Sequence, residues 1–169
     1  RNAEGISALV KLLAPGTQAH VTGHWPQRVV VGRPASLAKD SPVSLSQGLP
    51  LGTVGLDANS QLRLLLHTND PDEAREWLPG GQLLLDMQVL LEVYLGWRCT
   101  ARLQLSIALR LLPVPVLGHT QVRLGMTAVL GLPAGEEATA HTITINLGRY
   151  QGLKLHPCNR EVAHVAYHF

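Results

Sequence analysis

His156, Cys158, His164 and His168 form the densest group of metal-ligating side chains in the sequence, four within thirteen residues near its end. A zinc ion would need every ligand atom within about 2.3 Å. On a strand, His164 and His168 share a face but stand roughly 13 Å apart at ~3.3 Å per residue, so one ion could take both only on a helix. His20 and His24 meet the same objection, and neither CxxC nor HExxH occurs. No metal and no cofactor are expected.

Other chemistries find equally little support. Cys99 and Cys158 lie in no local signature that would lower a thiol pKa, and there is no GxSxG elbow. Two cysteines cannot build a disulfide framework and are compatible with a reducing compartment. Asp70, Asp72 and Glu73 read as helix first-turn acids, Glu136 and Glu137 as loop acids, and Asp57 in LDANS as a turn former. Asp86 has no evident partner. LPGG and GRYQG lack the phosphate-loop lysine, and no GxGxxG follows a strand. No catalytic residue is assigned, and the chain is not expected to be an enzyme.

Arginine outnumbers lysine, and Arg98, Arg102 and Arg110 fall on one face of a strand pattern. Nucleic acid is not the expected partner, because the net charge is only +2 and the aromatics are three tryptophans, three tyrosines and one phenylalanine. Guanidinium groups make planar bidentate contacts and are enriched in protein interfaces. Arg98, Arg102 and Arg110 are therefore candidate interface residues, with a solvated sheet face as the alternative.

Composition supports a protein partner. The 169 residues are 46% hydrophobic and 15% charged, with 14 basic and 12 acidic side chains. An average soluble domain is about 25% charged, so part of this surface is expected to meet protein rather than water. The apolar content excludes disorder. The longest apolar runs are broken by Asp86, Gln88, Arg110 and two prolines, short of the ~20 residues a membrane helix needs. The chain starts with Arg1, so it is expected to begin inside a longer protein or at a processed boundary.

The elements that must position these residues follow from periodicity. Ile6, Leu9, Val10 and Leu13 make a helical stripe over 3–13, with Asn2 as cap and Pro15-Gly16 as stop. β-Branched residues over 20–31, interrupted by Pro26, predict a hairpin or two short strands, and 32–49 reads as a loop. Leu62, Leu64 and Leu66 share one strand face, after which Asp70-Pro71 opens a helix that WLPGG ends. Residues 82–95 are apolar nearly all round, broken only by Gln82, Asp86, Gln88 and Glu92, and predict a buried core helix.

Cys99, Ala101, Leu103, Leu105, Ile107 and Leu109 then alternate with polar residues, a strand with one core face. Pro113 and Pro115 forbid a central strand in LLPVPVLGHT, so Leu112, Pro113, Val114, Pro115, Val116 and Leu117 read either as an exposed arm or as a cover folded over their own core. Further strands are expected at 122–124, 127–130 and 142–147, the last with Ile143, Ile145 and Leu147 inward. A final strand places Ala163, Val165, Tyr167 and Phe169 on one face. LPLGTVGLD and VRLGMTAVLG hint at an internal repeat. The expected fold is α+β: mainly antiparallel strands, two or three helices including the buried one, and long irregular loops. Its expected organisation is an N-terminal helix, hairpin and loop over 1–48 and an α+β core over 49–169.

The order of LPLG, WLPGG, VYLGW, VRLG and INLGRYQGL between residues 49 and 153 resembles the TssG family, wedge subunits of the bacterial type VI secretion baseplate. The resemblance implies the C-terminal portion of a non-enzymatic scaffold that joins two copies of TssF, contacts TssE, and hooks TssK trimers through extended loops. It also implies a place near the VgrG spike, in a cytoplasmic baseplate docked to the inner-membrane complex. On this chain the hooks it implies are 32–47, with Pro34, Leu37 and Pro42, and 111–120, where Pro113 and Pro115 stiffen an apolar segment. Outside this resemblance, the alternatives are a small β-rich binding module or a metal-dependent enzyme built on the C-terminal His/Cys cluster.

Overall fold

The computed structural model describes residues 2–31, 52–96, 99–112, 126 and 141–151. Helix α1 (Ala3–Leu13) starts where the side chain of Asn2 accepts from Gly5 N at 2.9 Å, and it buries Ile6 and Val10. The next segment forms two short strands, β1 (Thr17–Thr22) and β2 (Gln27–Val30), which do not pair with each other. β2 pairs antiparallel with β3 (Val54–Asp57) in a separate two-stranded ribbon.

The main sheet has four strands in the order β1, β4 (Gln61–Thr68), β5 (Thr100–Ala108), β6 (Thr142–Tyr150). β4 is antiparallel to β1, and β6 is antiparallel to β5, but β4 and β5 are parallel. A parallel pair needs a crossover. It is supplied by α2 (Pro71–Trp77) and α3 (Gln82–Leu95). Pro71 sits at the start of α2, where its missing N–H is harmless, and the Asp70 side chain accepts from Asp72 N at 2.9 Å. Glu76 in turn accepts from Gln82 N at 2.7 Å, putting a carboxylate at the N-terminus of α3.

One face of the sheet supplies the core: Leu62, Leu64 and Leu66, then Ala101, Leu103, Leu105 and Ile107, then Ile145 and Leu147, all buried with Ile6, Val10, Trp77, Met87 and Leu91 of the helices. Gly5 lies so close to Tyr94 that a Cβ would run into the phenol oxygen, and Asn2 N donates to that oxygen at 3.1 Å. A polar knot joins α2 to the sheet. Glu73 accepts from Gly16 N at 2.9 Å and from the Thr17 hydroxyl at 2.6 Å, while Trp77 Nε1 donates to Thr17 Oγ1 at 2.9 Å.

The helix α3 differs from the all-round buried helix that its composition predicts. Leu84, Met87, Leu91 and Leu95 are buried, but Leu85, Val89 and Val93 on the opposite side are exposed. Residues four apart lie nearly above one another on a helix, so the three form a continuous apolar stripe. β5 also ends earlier than the alternation suggests, passing at Leu109–Leu111 into one turn of 3-10 helix.

Candidate partner-binding surfaces

Most residues of the two expected hooks, Pro34, Leu37, Pro42 and Pro113, Val114, Pro115, Val116 and Leu117, lie outside the described residues, as do Arg98, the C-terminal His/Cys cluster, the strands expected over 122–130 and the C-terminal strand. Leu112 is described and is buried in the core, 7% exposed, so it anchors the segment rather than presenting itself.

The ends of both segments are nevertheless fixed. Val31 N donates to Thr53 O at 2.9 Å, so the chain leaves the ribbon and returns to it at one place. Leu109 N likewise donates to His141 O at 2.9 Å, closing off residues 110–140 where β5 stops and β6 begins. The ribbon is rooted at the other end of the sheet, where Trp25 N donates to Gln61 O at 2.8 Å at the start of β4. Since β4 and β5 run parallel and β5 has nine residues, the two roots are separated by roughly the strand length, ~26 Å at 3.3 Å per residue.

Among the described residues, large apolar side chains are exposed singly at Leu12 of α1 and in groups on two elements. The ribbon shows Val30 at 81%, Leu56 at 76%, Val54 and Val29 to solvent. A two-stranded ribbon is marginal by itself, and exposed apolar patches mark interaction sites. The second element is the stripe of Leu85, Val89 and Val93.

The outer face of the sheet is polar. Arg102 occupies it as alternation predicts, whereas Arg110 sits exposed in the 3-10 turn and does not share that face. Its real neighbours come from other strands: Arg63 is directly beside Arg102 on β4, and Arg149 is directly opposite it on β6. Arg149 reaches this face because of a bulge opposite Leu103 and Gln104, with Gly148 at φ 116°, a backbone region that glycine occupies without strain.

Neutral groups hold the three guanidinium groups. Arg63 Nε donates to Gln104 Oε1 at 2.6 Å, and its guanidinium stands 4.8 Å from the centre of the Trp25 ring. With the Gln61 amide turned so that its oxygen faces Arg149, that oxygen accepts from Nη2 at 3.0 Å and Nε at 2.9 Å. In the same way Asn146 accepts from Arg102 Nη2 at 3.3 Å and donates to Leu103 O at 3.2 Å. His67 Nδ1 lies 3.1 Å from Ser106 O on the same face.

Reactive chemistry is absent among the described residues. No three His, Cys, Asp or Glu residues there are placed to hold a metal ion. Burial pushes the half-buried Cys99 thiol up, away from nucleophilic thiolate character. Asp57 is held below its usual range by the Ser60 hydroxyl and Asn59 N, as a turn acid. Asp86 accepts from Gln82 Nε2 at 2.7 Å. An open groove of about 480 Å³ between α1 and β1, lined by Glu4, Ser7, Lys11 and His20 among others, is not enclosed enough to exclude water from a reaction. No described helix is long and apolar enough to cross a membrane.

The described residues thus form a mixed sheet backed on one side by helices, with two stretches of chain closed at their ends and exposed apolar strips on the ribbon and on α3. The chain belongs to the TssG family of type VI secretion: the family's model matches residues 1–131. That match includes residues 16–48, beyond the stretch over which the sequence motifs alone carry the likeness. The chain is also similar to a chain of the type VI secretion TssK-TssF-TssG baseplate subcomplex seen by cryo-electron microscopy, with 40% identity and a TM-score of 0.80 over 99% of this chain and 70% of that one. A chain of a type VI secretion baseplate complex matches at 34% identity and a TM-score of 0.64, over 100% of this chain and 47% of that one. A search of curated proteins gave no match.

Alternation placed Arg102 on the outer face, but it could not place Arg63 and Arg149 beside it, since they are 39 and 47 positions away and are brought there by strand pairing. Nor does any local signal distinguish Leu85, Val89 and Val93 from the buried leucines beside them in the sequence.

Proposed function

We propose that this chain is a structural, non-enzymatic subunit of a type VI secretion baseplate wedge, holding TssF and presenting two chain segments to TssK. The observation that carries this reading is the closure of both segments, one at Leu109/His141 where β5 ends and one at Val31/Thr53 on the ribbon that is tied to the start of β4 through Trp25 and Gln61. A sheet with a packed core is a stiff spacer between two such attachment points. Membership of the TssG family and likeness to a chain of a TssK-TssF-TssG subcomplex supply the partner classes. Two copies of TssF, contact with TssE, proximity to VgrG and docking of a cytoplasmic baseplate on the inner-membrane complex belong to the same proposal, carried by the family resemblance.

The exposed stripe of α3 and the apolar ribbon are the surfaces on which TssF-like subunits would bury area, while the segments over 32–47 and 113–120 would serve TssK. The test is co-purification of the full chain with TssF and TssK. Replacing residues 113–120 by a Gly-Ser linker, which spares buried Leu112, is expected to remove TssK and retain TssF. Undiminished TssK in the purified complex would refute the hook assignment.

A further inference from the structure

The arginine row on the outer face is not explained by packing among the described residues. Arg63, Arg102 and Arg149 stand side by side on β4, β5 and β6. Adjacent strands are about 4.8 Å apart, so the row is roughly 10 Å long at the backbone. Like charges directly across a strand pair disfavour the pairing. Such a row persists at least cost when something of opposite charge lies against it.

No carboxylate of this chain answers it within the described residues. The outward positions of the four strands carry Gln18, His20 and Thr22, then Gln61, Leu65 and His67, then Thr100, Gln104 and Ser106, then Thr144 and Asn146 beside the three arginines. The acceptors that steady the guanidinium groups are the neutral amides of Gln104, Asn146 and Gln61, and Arg63 also has the Trp25 ring beside it. Amides orient a guanidinium without cancelling its charge. Among the described residues each arginine is thus pre-positioned with no carboxylate against its charge, which lowers the ordering entropy lost on binding.

We infer that the outer face of the sheet, centred on Arg102 and flanked by Arg63 and Arg149, is a docking surface for an acidic polypeptide segment of a partner subunit. The dimensions fit: carboxylates two residues apart on a strand are separated by about 6.6 Å, and four apart on a helix by about 6 Å. Either spacing lets two or three acids span the row. Charge complementarity of this kind sets orientation and association rate. A nucleic-acid strand is less well served, since Trp25, already beside Arg63, is the one aromatic ring against the row among the described residues, and the whole chain carries a net charge of +2.

The proposal is independent of the hook assignment and is tested separately. Fluorescein-labelled octaglutamate is titrated with the full chain at 50 mM and 300 mM salt and followed by anisotropy, with octaglutamine and an eight-residue oligothymidylate as comparisons. Octaglutamate is expected to bind, to weaken at high salt, and to outcompete both comparisons. Arg102→Gln is expected to weaken it about tenfold. Arg149→Gln, at an exposed position, is expected to weaken it several-fold and remains informative if the Arg102 variant fails to fold. Lys11→Gln on α1 is expected to leave it unchanged. Unaltered octaglutamate affinity in both arginine variants, no octaglutamate binding at 50 mM salt, or tighter binding of oligothymidylate would each overturn the proposal.

Discussion

The two faces of the four-stranded sheet are built from the same strands yet reach balance differently. The inner face is complete within the chain: leucine and isoleucine pack against helices, and the one polar knot at Thr17, Glu73 and Trp77 is satisfied internally. On the outer face, among the described residues, three arginines are steadied by neutral amides and an aromatic ring. Period two in a strand makes such a division possible, because neighbouring residues answer to opposite environments. Among the described residues, apolar burial is concentrated on one face, and the other carries the arginines.

The sharpest way to break this contrast is to damage the inner face. Trp77→Ala removes a fully buried indole and orphans the Thr17 hydroxyl, and about 3–5 kcal/mol of stability should be lost in urea unfolding. Next comes Glu73→Ala, which strips acceptors from Gly16 N and the Thr17 hydroxyl; about 1–3 kcal/mol is expected by the same measurement. On the outer face, Arg102→Gln should change stability by no more than about 0.5 kcal/mol, and a loss comparable to that of Glu73→Ala would show that the row is structural. Val89→Ser on the exposed side of α3 should be equally mild in the isolated chain, yet reduce co-purification with TssF. The smallest effect concerns Cys99: alkylation near neutral pH should run slower than for a free thiol and accelerate on unfolding, because burial raises its pKa in the folded chain.

Local signals placed the helices well. Asn2, Asp70-Pro71 and the PGG break set boundaries through capping chemistry, which acts within one turn and so is written in adjacent residues. Alternation likewise gave the buried positions of β5. Strand partners were beyond its reach, since pairing β4 in parallel with β5 and β1 with β4 depends on chain crossings rather than on any short pattern. The β6 bulge shows the limit in one residue. Strict alternation from Ile143 through Leu147 would turn Arg149 inward, and the extra residue opposite Leu103 and Gln104 turns it outward instead. The exposed half of α3 was illegible for a related reason: an evenly apolar helix does not say which side its own chain will cover.

The two backbone hydrogen bonds from Val31 to Thr53 and from Leu109 to His141 each hold together the two ends of a long intervening stretch of chain. A segment that departs and re-enters at a single point can be lengthened without shifting the strands beneath it. Loop closure grows only logarithmically with length, each doubling costing about 0.6 kcal/mol. The sheet's register should therefore tolerate insertions or deletions between Val31 and Thr53, whereas between Leu109 and His141 it should tolerate only those that leave the buried Leu112 and Met126 in the core.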